Sequence, residues 1–277
     1  MKQFSLIIPT VGRTQELEKM LGSLANQQPA DFELIVVDQN EDDRVDRLLS
    51  VLAPDIKVSH HRLNRKSLSL ARNVGLREAS GEIVAFPDDD CWYPAGLLPQ
   101  VWNWFCDNPN YDILAVGAND EQGLPSGNRW IQSQCDIRAI NVLRTTFSNS
   151  LFLKRRALPE SIRFDESLLA SEETDYILKL MKVGLRARFD RTLYVGHPRR
   201  DMLSGTVSHS RAQKYGQGMG QLVRRHSLPL LWAALLSYDL LRALTVFLSG
   251  RWSSAGFCLA HARGLFRGFV YNEPHQS

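Results

Sequence analysis

The sequence predicts an α/β protein built on a mostly parallel sheet, and three observations predict it. Short apolar runs alternate with stretches of helical spacing through residues 1–200, two of those runs end in aspartate, at Asp38 and at Asp88, Asp89 and Asp90, and cap residues punctuate the helical stretches. Strand, helix and strand in alternation imply right-handed βαβ crossovers, which bring the carboxyl ends of the strands to one edge.

Taken in order, Phe4 to Ile8 is a compact β run. Thr14 then stands where an N-cap belongs, with Glu16 and Glu18 in the first turn and Leu17, Met20, Leu21 and Leu24 at helical spacing. Phe32 to Val37 is the second strand and ends in Asp38. An acidic turn and an amphipathic helix around Val45, Leu48, Leu49 and Leu52 follow. Ile56 to His60 is a third strand. The polar loop Asn64, Arg65, Lys66 and Ser67 leads into a helix near Leu70 to Ala79, closed by Gly81, and Glu82 to Phe86 is the next strand. A second half begins near Leu97 with a helix carrying Trp102, Trp104 and Phe105, then a strand at Tyr111 to Val116 and a polar loop at Asn119 to Asn128. Ser148 to Leu153 reads as a strand, Phe164 to Leu169 as a turn, and Glu172 to Val183 as a helix capped by Ser171 and stopped by Gly184. Arg186 to Val195 returns as a strand and ends at His197 and Pro198.

The 277 residues allow one large domain or a domain with an appendage. A formal charge of +3 gives no reason to expect nucleic acid as a partner. Cys91, Cys106, Cys135 and Cys258 lie far apart, without zinc or disulfide spacing, which fits reduced thiols in a cytoplasmic protein. The opening MKQFSLIIPT has too short an apolar run for a signal peptide.

The stretch FPDDDCWYP organises the chemistry. Three adjacent carboxylates at a strand's carboxyl end are either a solvated acidic turn, favoured by Pro87 and Pro94, or a site for Mg²⁺ or Mn²⁺, which prefer oxygen ligands and phosphate. PTVGRT is not the glycine-rich turn of a dinucleotide site, and there is no P-loop lysine motif. Acids at two strand ends without a phosphate loop point to a nucleoside held by carboxylates and a diphosphate held by metal.

SLIIPTVGR, FELIVVDQNEDD, ARNVGLREASGEIVAFPDDDCW and FDESLLASEETDYILKLMKVG, in that order, resemble the family 2 glycosyltransferases, inverting enzymes of the GT-A fold, of the bacterial capsule and exopolysaccharide type. The resemblance covers most of residues 4–197. It implies that Asp38 contacts the base of a nucleotide sugar, that Asp88 lies near the ribose, and that Asp90 binds Mn²⁺ or Mg²⁺ on the diphosphate, Asp88 sharing the metal. Pro9, Thr10, Arg13, Arg65, Arg72, Asn73 and Asp89 fall on stretches that hold the nucleotide sugar. His197 matches a histidine beside the metal or diphosphate, with His209 in reserve, whereas His60 and His61 are not candidates. The family's catalytic base is the second acid of a Glu-Asp pair, and here that place is Glu173, beside Glu172. The change leaves Glu172, Glu173 and Asp175 all open. An inverting transfer needs one such carboxylate, to take the proton of the acceptor hydroxyl. In a plain helix, the same acids would simply favour the N-terminal dipole.

Between Asp201 and Glu273 the only acid is Asp239, against eight lysines and arginines. YGQGMGQ looks like a phosphate loop but follows no strand, so a flexible crossing or a helix with a small-residue face is expected. Leu228 to Leu248 is apolar but interrupted by Pro229, Asp239 and Arg242, which disfavours a simple membrane span. With Trp232, Tyr238, Trp252, Phe257 and flanking arginines, the segment fits helices lying on an anionic membrane surface. Residues 1–200 are thus expected to form a GT-A domain, with a nucleotide half at 1–95 and an acceptor half at 96–200. Residues 201–277 would form a helical, membrane-surface region on the inner face of the cell membrane. The donor would be a nucleotide sugar and the acceptor a saccharide, lipid-linked in that setting. Two rivals stand beside it: a catalytically silent scaffold or carbohydrate-binding protein of the same fold, and a sugar nucleotidyltransferase, which would need the glycine-rich basic loop that SLIIPTVGRT lacks.

Overall fold

A computed structural model of the chain describes residues 2–50, 56–126, 131, 133–168, 170–198 and 208–271. They fall into two compact units, Met1–Phe164 with Tyr176–Arg199 and Asp165–Asp175 with Arg200–Ser277.

The first unit is built on an eight-stranded sheet in the order β3-β2-β1-β4-β7-β5-β8-β6. Its strands are β1 (Phe4–Thr10), β2 (Phe32–Asp38), β3 (Lys57–Arg62), β4 (Ile83–Ala85), β5 (Ile113–Asn119), β6 (Cys135–Asp136), β7 (Leu151–Lys154) and β8 (Ala187–Gly196). Every residue of β1 and β2 is buried, as expected of strands covered on both faces. β3 forms one border of the sheet and carries Lys57 and Arg62 at its exposed ends, which discourages further pairing. The connecting helices are α1 (Gln15–Leu24), α2 (Arg44–Leu49), α3 (Leu68–Glu78), α4 (Leu97–Asp107), α5 (Val142–Thr145) and α6 (Glu172–Lys182). β1 pairs in parallel with β2 on one side and β4 on the other, so the chain order reverses at β1. The crevice at such a reversal is where open α/β sheets bind ligands. Thr10 and Asp38 are register partners at that edge, and the aspartate triplet leaves it just beyond β4.

Ser148–Ser150 is a 3-10 turn, and only Leu151–Lys154 is strand, running antiparallel between β4 and β5. β6 and α5 were not foreseen, being two and four residues long. Thr14 stands at the N-cap of α1 without a side-chain capping bond, whereas Ser67 caps α3 by accepting from Leu70 N at 3.3 Å. Gly81 does not close α3, which ends at Glu78. Instead a Cβ on Gly81 would lie 2.5 Å from the Phe4 carbonyl carbon, so glycine there lets the chain pass against β1. The expected helix residue Leu52, the turn residue Leu169 and the loop end at Gly127 and Asn128 lie outside the described residues.

Glu33, buried in β2, shows how the polar groups inside are satisfied. It accepts from Ser5 Oγ (2.7 Å), Ser80 N (2.7 Å), Ser80 Oγ (2.8 Å) and Lys57 Nζ (2.8 Å). Burial alone would raise its pKa, but these donors, Lys57 foremost, bring it down to about 2. A depressed folded-state pKa means stability that is present above the unfolded value of 4.5 and is lost as pH falls towards about 2. Glu33→Gln is therefore expected to lose about 1–3 kcal/mol at pH 7, discounted because Lys57 is exposed, and to flatten the acid limb of the wild-type curve. Urea unfolding of both proteins at pH 7 and pH 2.5 checks this; an equal acid sensitivity would contradict it.

The second unit contains α7 (His209–Arg225), α8 (Pro229–Leu248) and α9 (Trp252–Val270). YGQGMGQ lies within α7, the helical alternative of the two expected. α8 is long and apolar enough to cross a membrane by length and composition, and only 11% of its most apolar 18-residue window is buried. Asp239 points inward, and the carboxylate meets His261 Nδ1 at 2.6 Å. Arg242 lies over the Tyr238 ring, 5.9 Å from its centroid.

Candidate active site

The three aspartates after β4 turn in different directions. Asp89 faces β1 and the loop beyond it: Thr10 donates to its Oδ2 at 2.8 Å, and Arg13 donates to its Oδ1. The same guanidinium lies 3.1 Å from Asp90 Oδ2. Asp88 faces Arg72, whose side chain is wholly buried on α3 and whose Nη2 is 3.3 Å away. Ser148 Oγ is 3.5 Å from the same carboxylate. Asp90 Oδ1 lies 3.7 Å from His197 Nε2. Asp88, Asp90 and His197 each offer one ligand atom, and these atoms lie within 4.8 Å of one another.

The charges account for the design. Three carboxylates against the guanidiniums of Arg13 and Arg72 leave a formal −1. Burial pushes the Asp88 carboxyl upward while Arg72 and His197 pull it down, and burial likewise raises Asp89 against the pull of Arg13 and Thr10. Burial also disfavours the Arg13 charge, and Asp89 and Asp90 more than offset it. Two carboxylates and an imidazole at this spacing fit a hard or borderline divalent cation such as Mg²⁺ or Mn²⁺, with positions left over for phosphate oxygens.

His197 reaches the acids through a backbone arrangement between segments far apart in the chain. Gly196, the last residue of β8, bridges Trp92 with bonds of 2.9 and 2.8 Å, and His197 N donates to Asn119 O at 2.8 Å. A Cβ on Gly196 would sit 1.9 Å from the Trp92 ring. Gly196→Val is therefore expected to displace the His197 backbone and weaken Mn²⁺ binding by about 10- to 100-fold, as changes behind a ligand do. Titration calorimetry with MnCl₂ reads it; wild-type affinity in the variant would separate His197 from the cluster.

The remaining expected residues are spread along the same edge. Pro9 is buried in β1. Asp38 is fully buried; its Oδ1 accepts from Asn40 N (2.8 Å) and Nδ2 (2.7 Å), and its Oδ2 is 3.2 Å from His60 Nε2. His60 also meets Asp46 at 3.0 Å, a bridging role between strand and helix. Arg65 is exposed in the turn before α3. Asn73 is occupied elsewhere: it donates to Phe164 O and accepts from Phe164 N, each at 2.9 Å. That pins Phe164, whose ring lies under the Arg72 guanidinium at 5.4 Å and stacks on Tyr176 at 4.2 Å. Phe164, Trp92, Gly196 and Ser148 were missed by sequence reasoning, because each acts through a contact distant in sequence.

Glu172 and Glu173 lie half-buried in the first turn of α6, in the segment that belongs to the second unit. Asp175 is buried there, its Oδ1 2.9 Å from His226 Nε2. His209 opens α7, with Nε2 3.4 Å from Ser253 O, and is not among the residues of the acidic cluster.

The sequence model of Glycosyl transferase family 2 matches residues 5–160. Among curated proteins, the GalNAc(5)-diNAcBac-PP-undecaprenol beta-1,3-glucosyltransferase of Campylobacter jejuni is 29% identical over 64% of this chain and 59% of its own length. The poly(ribitol-phosphate) beta-N-acetylglucosaminyltransferase TarS of Staphylococcus aureus is 26% identical over 65% of the chain and 32% of its own. The chain thus spans less than two thirds of either relative. Among solved structures, the mannosyltransferase PcManGT of Pyrobaculum calidifontis, in complex with GDP-Man and Mn²⁺, superposes with a TM-score of 0.66 at 17% identity, covering 98% of this chain and 88% of that one. TarS 1–349 in complex with UDP-GlcNAc gives 0.61 at 18% identity, covering 99% and 93%. At these identities the structural likeness speaks to the fold, which is GT-A.

Proposed function

The chain belongs to Glycosyl transferase family 2, and on that footing we propose that it is an inverting, metal-dependent transferase moving a sugar from a nucleotide-sugar donor to a saccharide acceptor. The observation that carries the reading is the convergence of Asp88, Asp90 and His197 at the edge where β1, β2 and β4 end. Those three would hold Mn²⁺ or Mg²⁺. When bound, the cation supplies Lewis-acid stabilisation of the charge that develops on the leaving diphosphate. Arg13 and Arg72 hold the three acids in place through their ion pairs. Asp38, with Pro9 and Thr10 beside it in the sheet, serves the nucleoside, and Arg65 reaches the nucleotide from its exposed turn. Asn73 serves the nucleotide indirectly, through Phe164 and the Arg72 stack.

Glu173 takes the proton of the acceptor hydroxyl at a carboxylate oxygen while that hydroxyl attacks the anomeric carbon from the face opposite the leaving group. Glu172 is the alternative. Asp175, engaged by His226, supports the helix rather than the proton transfer.

Residues 1–200 serve as the transferase domain, with donor and acceptor halves, and 201–277 as a helical region peripheral to the cytoplasmic face of the membrane. Exposed Leu230, Leu241, Leu244, Leu248 and Trp252 support the membrane placement, as do the arginines around them. A lipid-linked saccharide is then the natural acceptor, as the name of the Campylobacter relative indicates for that protein.

Incubation with UDP-GlcNAc, UDP-glucose or GDP-mannose, Mn²⁺ and short saccharide acceptors tests the reading. Nucleoside diphosphate release with an inverted anomeric proton signal supports it. Release of pyrophosphate from a sugar phosphate and a nucleoside triphosphate would favour a nucleotidyltransferase, and turnover of no donor would favour a silent scaffold.

A further inference from the structure

The three glycines of YGQGMGQ face two ways. A Cβ on Gly216 or Gly220 would lie 2.1 or 2.3 Å from the carbonyl oxygens of His261 and Leu265 on α9, and a Cβ on Gly264 or Gly268 would lie 2.0 Å from those of Gln213 and Gln217 on α7. The two backbones touch through paired glycines four residues apart, which fixes how α7 can sit. Gly218 serves another contact: its Cβ would lie 2.6 Å from Ala170 N and 2.8 Å from Ala170 O. α7 therefore carries the chain directly at Ala170, next to Ser171 and the acidic pair.

Two more fastenings lie at the C-terminal end of α7. Arg225 donates to the Asp165 carboxylate, and its Nη2 donates to Ser167 Oγ at 2.9 Å. His226, only 8% exposed, donates from Nε2 to buried Asp175 Oδ1 at 2.9 Å. Asp165, Ser167, Ala170 and Asp175 are thus all held by α7 and the residue that caps it. Between the last two fastenings Ser171 adopts a φ of 65°, a left-handed conformation that a serine keeps only where its surroundings impose it. Glu172 and Glu173 follow at once.

We infer that α7 positions the catalytic acids: His226, Gly218 and Arg225 are positioning residues for the Glu172–Glu173 turn. The C-terminal helices are on this account part of the reaction machinery, in addition to any contact with membrane. The inference rests on the assignment of the base to that pair. A general base works only within hydrogen-bond reach of its proton, and a displacement of about 1 Å can cost about a hundredfold in rate.

The test compares His226→Leu, His226→Gln, Gly218→Val and Arg225→Gln in the full chain, with Mn²⁺ and whichever of UDP-GlcNAc, UDP-glucose and GDP-mannose the wild type turns over. His226→Leu and Gly218→Val should lower kcat by about 10- to 100-fold while the donor KM stays within about threefold. His226→Gln, whose side-chain amide can take the place of Nε2–H, should recover most of the loss. Hydrogen exchange at the amides of residues 171–175 should quicken in His226→Leu and remain slow in His226→Gln. A His226→Leu enzyme with wild-type kcat, a loss confined to donor KM, or a glutamine variant no better than leucine would overturn the inference. If His226→Leu does not fold, Arg225→Gln decides at a half-exposed site, where unchanged kcat and unchanged exchange would overturn it. If the wild type turns over no donor, the transferase reading falls, and the exchange comparison alone still decides whether α7 holds the turn.

Discussion

Glu173→Gln is expected to bind nucleotide and Mn²⁺ as the wild type does and to lose about 10²- to 10⁴-fold in kcat, the range that a positioned general base supplies. The amide is nearly isosteric with the carboxylate but cannot accept the acceptor's proton. Its loss should therefore appear in turnover and leave donor affinity alone. Single-turnover kinetics with saturating donor separate the two. Glu172→Gln should cost far less, and Asp175→Asn should act through the packing around His226, lowering the unfolding temperature along with the rate. A Glu173→Gln protein with normal turnover and a Glu172→Gln protein without it would exchange the two roles.

The second large effect is expected at Asp90. Its carboxylate lies between Arg13, at 3.1 Å, and His197, at 3.7 Å, so Asp90→Ala removes one of the three proposed cation ligands and frees the imidazole from its partner. Mn²⁺-dependent nucleotide binding should weaken by about a hundredfold or more, since a protein ligand to the cation disappears altogether. Asp89→Asn makes the instructive contrast. Its oxygens are engaged by Thr10 and Arg13, so the change should loosen the loop and lower the unfolding temperature while metal dependence survives. Calorimetry with Mn²⁺ and nucleotide on both variants reads the difference. Equal loss in the two would mean that all three acids act as one unit.

Much of this was legible in the sequence because it is local. β1, β2 and α1 announce themselves through runs and spacings of apolar residues, and each was found where expected within a few residues. The acidic triplet was visible as a motif, but the division of labour within it was not. That Asp89 turns to Thr10 and Asp88 to Arg72 depends on side chains 79 and 16 residues away in sequence. β7 was misread at its start because Ser148 and Ser150 suit a strand as well as a 3-10 turn, and its antiparallel direction comes from pairing with β4 and β5 rather than from any local preference. Gly81 looks like helix punctuation in one dimension, and Gly196 draws no notice there. In three dimensions they are places where another chain segment passes too close for a Cβ. The glycines of YGQGMGQ were recognised as small, but what faced them, α9 and Ala170, could be known only from the fold.

The central claim is a nucleotide site completed by a divalent cation at Asp88, Asp90 and His197, and thermal unfolding of the wild type with UDP, GDP, dTDP and CMP, each with and without Mn²⁺, tests it most directly. A ligand at about 100 times its dissociation constant adds about 2.7 kcal/mol to the folded state, enough to move the transition by several degrees. The account predicts a clear rise with one nucleotide that depends on Mn²⁺. Unfolding temperatures unmoved by every nucleotide, or moved equally with and without Mn²⁺, would contradict it.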